Sequence, residues 1–174
     1  TLAIVAALQK KSKIFYILPN TIHLSNNKIY AKTGILKINK KKKVFYEINN
    51  VRLKELSSLN CILFRLDPPV DEYYIQLTHI LDILESQGVL VINSPQSIRD
   101  YNEKLLGDKF TSKLVPTLVT SNQDFINKFL EKHKKIVIKP MNLMAGTGII
   151  SLSHGKEDNK FIIKELLKEP RKYL

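Results

Sequence analysis

The segment from residue 60 to residue 93 constrains this chain most. Asn60–Leu66 (NCILFRL) is an apolar run that reads as a strand. Asp67-Pro68-Pro69 ends it, because proline has no N–H to offer a central ladder. Tyr74, Leu77, Leu81 and Leu84 then recur at spacings of three and four, one apolar stripe on a helix of 3.6-residue period. Gly88 supplies the stop. Val89–Asn93 (VLVIN) follows as a continuous apolar strand, the kind buried on both faces of a parallel sheet. Strand, helix and strand in this order specify an α/β fold, with right-handed crossovers expected.

The flanks fit the same class. Leu2–Leu8 reads as a buried helix, and Lys13–Pro19 as a strand closed by proline. Ile35–Ile38 and Val44–Ile48 read as a β-hairpin around the lysine run Lys40–Lys43, a solvated tip. Cys61 is expected to be a small core residue. Pro95 suits the first turn of a helix that carries on toward Lys104. Element order places a boundary near residue 100, with residues 1–100 as one domain and 101–174 as a second. In the latter, Leu114–Thr120 reads as a strand. Ser121 starts a helix carrying Phe125 and Phe129, with Asp124 as the partner in a weak capping box. Lys134–Pro140 and Ile149–Ser153 read as strands. The last helix, over about 159–169, presents Phe161, Ile162, Leu166 and Leu167.

Composition narrows the function classes. The chain has one cysteine, so a disulfide framework is excluded and a cytoplasmic location is expected. No run approaches the ~20 apolar residues of a membrane span. The residues around Thr1–Leu8 lack the basic region and cleavage site of a signal peptide, and Thr1 implies that a preceding segment is missing. Net charge is +12, which could mean nucleic acid, a membrane surface or an anionic small molecule as partner. The charge is spread along the chain, without a zinc finger, an RNP-like aromatic pattern or helix-turn-helix spacing, so nucleic acid is not the expected ligand.

Three motifs could carry chemistry. Arg65, in Phe64-Arg65-Leu66-Asp67-Pro68-Pro69, stands at the carboxyl edge of a strand, where open α/β sheets bind ligands. Its guanidinium could grip a carboxylate or simply brace Asp67. Lys104 ends the segment that begins at Asn93-Ser94-Pro95-Gln96-Ser97, and by itself reads as a surface lysine. Lys139 closes the apolar strand Ile136-Val137-Ile138-Lys139-Pro140, ahead of Met144-Ala145-Gly146-Thr147-Gly148. A glycine-containing turn there either cradles phosphates with backbone N–H groups or is a plain hairpin turn. The four histidines show no metal spacing, and no paired carboxylate or Ser/His/Asp set is visible.

Together these segments resemble bacterial glutathione synthetase, an ATP-grasp ligase. "RLDPP", "VINSPQSIRDYNEKL" and "IVIKP" carry the likeness. The resemblance implies a pre-ATP-grasp (Rossmann-like) N-terminal domain followed by the first part of an ATP-grasp domain. It also implies ligation of γ-glutamylcysteine to glycine through an acyl phosphate formed with ATP and magnesium ions. On that likeness Lys104 and Lys139 match the lysines that hold ATP phosphates. Met144, Ala145, Gly146, Thr147 and Gly148 match the covering loop, and Arg65 matches a dipeptide-site arginine. A homotetramer is implied as well.

Departures accompany the likeness. The family's loop reads Asp-Gly-x-Gly-Gly where this chain has Asn142, Leu143, Met144, Ala145 and Gly146. Leu143 and Ala145 are therefore expected to avoid positive φ. Leu66 replaces a usual lysine. The family's first strand would precede Thr1, and the adenine hinge and magnesium-binding acids would follow the last residue, so the chain alone is expected to be incomplete and inactive. Two alternatives stand beside a fragment of an active ligase. One is a degenerate, non-catalytic relative; the other is a basic nucleic-acid-binding module, which would show steep salt dependence.

Overall fold

A computed structural model of the chain describes residues 1–39, 45–107 and 115–168. The fold is mixed α/β, in two compact units. Thr1–Arg65 and Gln76–Ile98 form one; Leu66–Ile75 and Arg99–Leu174 form the other.

The first unit opens with α1 (Leu2–Leu8), β1 (Phe15–Ile17), β2 (His23–Ser25), β3 (Lys28–Ile38) and β4 (Tyr46–Glu55). Asn26 and Asn27 both take positive φ, which makes the tight β2–β3 turn that suits strand twist. The long β3 pairs antiparallel with β1 and β2 along one edge and with β4 along the other. The β3–β4 register shifts between Thr33 and Ile35. Gly34 sits at that shift because a side chain there would collide with the Cγ2 of Ile48. The inward face changes across it: Ile29, Ala31 and Thr33 are buried before the shift, and Leu36 after it. The lysine run Lys40–Lys43 lies outside the described residues, and the hairpin is longer than its sequence pattern indicated.

β5 (Cys61–Leu63) and β6 (Leu90–Ile92) form a parallel pair, joined through α2 (Glu72–Ser86). Asp71 accepts the Tyr74 N–H at 2.9 Å and caps α2. At the other end Gly88 takes φ +90°, with Val89 N–H on Leu84 O and Gly88 N–H on Glu85 O. The apolar stripe is as expected, since Tyr74, Leu77, Leu81 and Leu84 are all buried. Leu81 and Leu84 join Ile29, Ala31, Leu56, Ile62, Val89 and Val91 in the core.

Three expectations fail in this unit. β6 is not covered on both faces: Val91 is buried, while Leu90 and Ile92 are exposed. The sheet has two strands and its covered face is the one carrying Ile62 and Val91. Cys61, on the other face, is exposed rather than a core residue. Within α1 only Val5 is buried, with Leu2, Ile4 and Leu8 exposed. The helix is held at its end by Gln9, whose side-chain amide exchanges hydrogen bonds with the backbone of Ile38 at 3.0 and 2.8 Å.

Pro95 opens α3 as expected, but the helix spans only Pro95–Asp100, and Lys104 lies on a following turn. The second unit then contains α4 (Gln123–His133), β7 (Lys135–Ile138), β8 (Ile150–Ser153) and α5 (Asn159–Leu166). The cap of α4 is Asn122, one residue beyond the expected Ser121, and its side chain accepts from Asp124 N and Phe125 N. β7 and β8 pair antiparallel. Ile126, Leu130, Ile136, Leu152 and Ile163 form the core between this hairpin and the two helices. Ile163, not the exposed Phe161, is the inward residue of α5. Asn159 ties α5 to β8 by donating to Ser153 O at 2.8 Å. No strand forms over residues 115–120, where one was expected; Leu114 lies outside the described residues. Pro116 lacks a ladder donor, and Val115, Leu118 and Val119 are exposed.

Candidate functional site

The second unit carries a concave surface of about 1080 Å³. β7 and residues 115–120 form part of its wall, and Lys104, Lys139 and Met144–Thr147 line it together. Six of the seven residues expected at a phosphate site thus share one cavity. The seventh, Gly148, is turned against Pro140, where an added Cβ would lie 2.8 Å from Cγ. Arg65 belongs to the first unit, where its exposed guanidinium donates from Nε to Thr1 Oγ1 at 3.5 Å.

The strand β7 delivers Lys139. Alternation along it buries Ile136 and turns Lys135 and Val137 outward; the next residue beyond Ile138 is Lys139, which is exposed. Pro140, fully buried, ends the strand. Among the described residues the Lys139 ammonium has no hydrogen bond or ion pair. It is a cation held at a strand end with its donors available.

The loop that follows takes the conformation of a glycine-rich turn. Gly146 and Gly148 lie at φ +81° and +71°. Ala145 lies at φ +56°, so the expectation that it would avoid this region is overturned. The surrounding turn, closed by Thr147 N–H on Met144 O and Ile149 N–H on Gly146 O, imposes the geometry despite the methyl group. Leu143 does not take positive φ, in line with expectation. Residues 144–148 are exposed. Asn142 leaves its side-chain Oδ1 buried with no hydrogen-bond partner among the described residues.

Lys104 differs from Lys139. Its side chain is only 20% exposed, and its ammonium donates to Leu143 O at 2.7 Å, Glu103 Oε1 at 3.2 Å and Met141 O at 3.3 Å. Asn102 positions it, accepting the Lys104 N–H at 2.9 Å and reaching Met141 O at 3.5 Å. Sequence reasoning missed Asn102, although it lies within the segment that carries the family likeness. It also missed the role of residues 115–120 as a wall. Among the described residues no three His, Cys, Asp or Glu side chains converge as a metal site, and no helix is long and apolar enough to cross a membrane.

Comparison with known proteins gives two family matches in sequence order. Residues 1–99 match the N-terminal domain of prokaryotic glutathione synthetase, and residues 103–174 match its ATP-grasp domain. The chain is 36% identical over 163 residues to glutathione synthetase of Buchnera aphidicola subsp. Baizongia pistaciae (strain Bp), covering 93% of this chain and 50% of that protein. It is 36% identical over 154 residues to glutathione synthetase of Coxiella burnetii (strain RSA 493 / Nine Mile phase I), 88% of this chain and 48% of that protein. Glutathione synthetase of Escherichia coli O127:H6 (strain E2348/69 / EPEC) is 35% identical over 163 residues, 94% and 51%. The chain spans about half the length of these relatives.

Proposed function

On the premise that this chain belongs to the prokaryotic glutathione synthetase family, we propose that it is the substrate-binding and nucleotide-entry portion of an ATP-dependent ligase. The reaction joins γ-glutamylcysteine to glycine in the cytoplasm, and the working assembly is a homotetramer. Bound ATP, with magnesium ions on its phosphates, would supply the phosphoryl group that activates the dipeptide's carboxylate. The residues present suit the polyphosphate. Lys139 offers an ammonium without a competing partner among the described residues, and the exposed turn from Met144 to Gly148 offers backbone N–H groups beside it other than that of Thr147, which bonds Met144 O. Such groups act by position and charge, favouring the phosphates without covalent chemistry. Lys104 borders the same cavity as a second cation, and Arg65, in the other unit, is assigned to a dipeptide carboxylate. No residue of this chain is assigned to magnesium.

The observation that carries this reading is the exposed Lys139 at the end of β7, without a partner among the described residues and just before a loop containing the positive-φ residues Ala145, Gly146 and Gly148. The test is calorimetric titration of the chain with ATP and MgCl2. Lys139→Ala should weaken ATP binding roughly tenfold or more, the worth of one charge-assisted contact. It should leave any binding to mixed-sequence RNA unchanged. Equal ATP affinity in wild type and variant sinks the assignment. A chain that binds no ATP leaves both an incomplete fragment and the degenerate, non-catalytic relative; the replaced loop residues Asn142, Leu143 and Ala145 favour the latter only if no longer parent chain exists. Steeply salt-dependent RNA binding without ATP binding supports the basic module instead.

A further inference from the structure

A lysine ammonium rides on a flexible four-carbon stem, so a charge carried by lysine is fixed only where neighbours fix it. Lys104 is fixed in this way. Its ammonium donates to the backbone carbonyls Leu143 O at 2.7 Å and Met141 O at 3.3 Å, and to the exposed Glu103 carboxylate at 3.2 Å. Asn102 closes the arrangement from the other side. Its Oδ1 accepts the Lys104 N–H at 2.9 Å, and its backbone carbonyl accepts the N–H groups of Leu105 and Leu106. Its Nδ2 donates to Met141 O at 3.5 Å, the longest of these bonds. One side chain therefore caps the turn that carries Lys104 and also reaches the carbonyl that the Lys104 ammonium reaches. All the residues in this ring of contacts belong to the second unit.

We propose that Asn102 is a positioning residue for the nucleotide, acting by holding the Lys104 ammonium at the cavity that Lys104 shares with Lys139. This deepens the nucleotide-site reading above and rests on it. The role differs from that of an ordinary cap. A serine would cap the turn about as well as asparagine, but it has no amide with which to reach Met141 O. The hold also survives the arrival of a phosphate. The exposed Glu103 carboxylate is the one partner that Lys104 can exchange without losing a backbone contact. An ammonium held in place beforehand meets a phosphate without giving up the freedom of its stem at that moment. Affinity should therefore depend on Asn102, and only through Lys104.

Two measurements on the full chain test the link and its consequence. Competitive trace acetylation with acetic anhydride, followed by peptide mass spectrometry, reads the reactivity of each lysine ammonium without nucleotide. Asn102→Ala should raise acetylation of Lys104 about tenfold, as expected for weakened hydrogen bonds to a charged group. Lys139 should stay within about twofold of wild type. Unchanged labelling of Lys104 overturns the proposal, and so does an equal rise at both lysines, which reports general loosening. Asn102→Ser, which keeps the cap and lacks the amide, should fall between wild type and Asn102→Ala. A serine variant equal to wild type reduces Asn102 to a cap and also overturns the proposal. Calorimetric titration with ATP and MgCl2 then gives a double-mutant cycle. Asn102→Ala should weaken binding about fivefold in the wild-type background and less than about twofold in Lys104→Met. Equal losses in the two backgrounds overturn action through Lys104. If the wild-type chain binds no ATP, the nucleotide-site reading fails for this chain and the nucleotide role of Asn102 fails with it. The labelling distinguishes that failure from a failure of the link between Asn102 and Lys104. Should Asn102→Ala not fold, Asn102→Ser gives both readings at an intermediate size.

Discussion

At Ala145 the backbone holds φ +56° against the preference of any residue with a Cβ. The position is a glycine in the family's loop pattern, and the turn keeps the glycine conformation without the glycine. Ala145→Gly should therefore raise stability by about 1 kcal/mol, the usual cost of left-handed backbone for an L-residue, measured as a higher urea midpoint at unchanged m. Gly148→Ala should act in the opposite direction, because φ +71° and the approach to Pro140 both oppose a methyl group. Such effects show how far single residues were legible. Lys139 could be placed from its apolar strand alone. The hydrogen bonds of Lys104 could not, since two of its three acceptors are backbone carbonyls 37 and 39 positions away, which no side-chain pattern marks.

Elements were legible where one face meets a core and illegible where partners decide. The stripe of α2 and the β7–β8 hairpin follow periodicity that the chain carries locally. β6 fails as a strand covered on both faces because apolar content fixes a strand without fixing how many layers lie against it. Residues 115–120 fail because a strand exists only in a ladder, and no described residue pairs with them. α2 also carries a titration. Burial raises the Tyr74 hydroxyl above the ordinary value of 10.0, and the charge of Asp67 adds to it. The folded state thus favours the neutral phenol. That contribution is intact below pH 10.0 and is lost as pH rises through the higher folded value. Urea midpoints measured from pH 9 to pH 11 should fall less steeply in Tyr74→Phe than in wild type. Parallel profiles would remove Tyr74 from the account.

Across the whole molecule, the division into two compact units has a thermodynamic consequence. Each unit has its own buried cluster, one around Leu84 and Ile29, the other around Leu152 and Ile163, with no residue in common. Leu84 and Ile163 are both fully buried. Truncating either to alanine removes transfer energy and leaves a cavity, at a cost of about 2–5 kcal/mol. In a single cooperative core that cost would appear at every protected amide. With separate clusters it should stay local, as sub-global opening does in other proteins. Leu84→Ala should therefore reduce protection in β3 and α2 while sparing β7, and Ile163→Ala should do the reverse, as read by native-state hydrogen exchange. Uniform loss of protection in either variant would show the two clusters to be one folding unit. The local outcome would also explain why the loop and its two lysines can be tested by substitution without disturbing the β3-containing sheet: among the residues lining their cavity are Ile126, Ile136 and Ile163 of the second cluster.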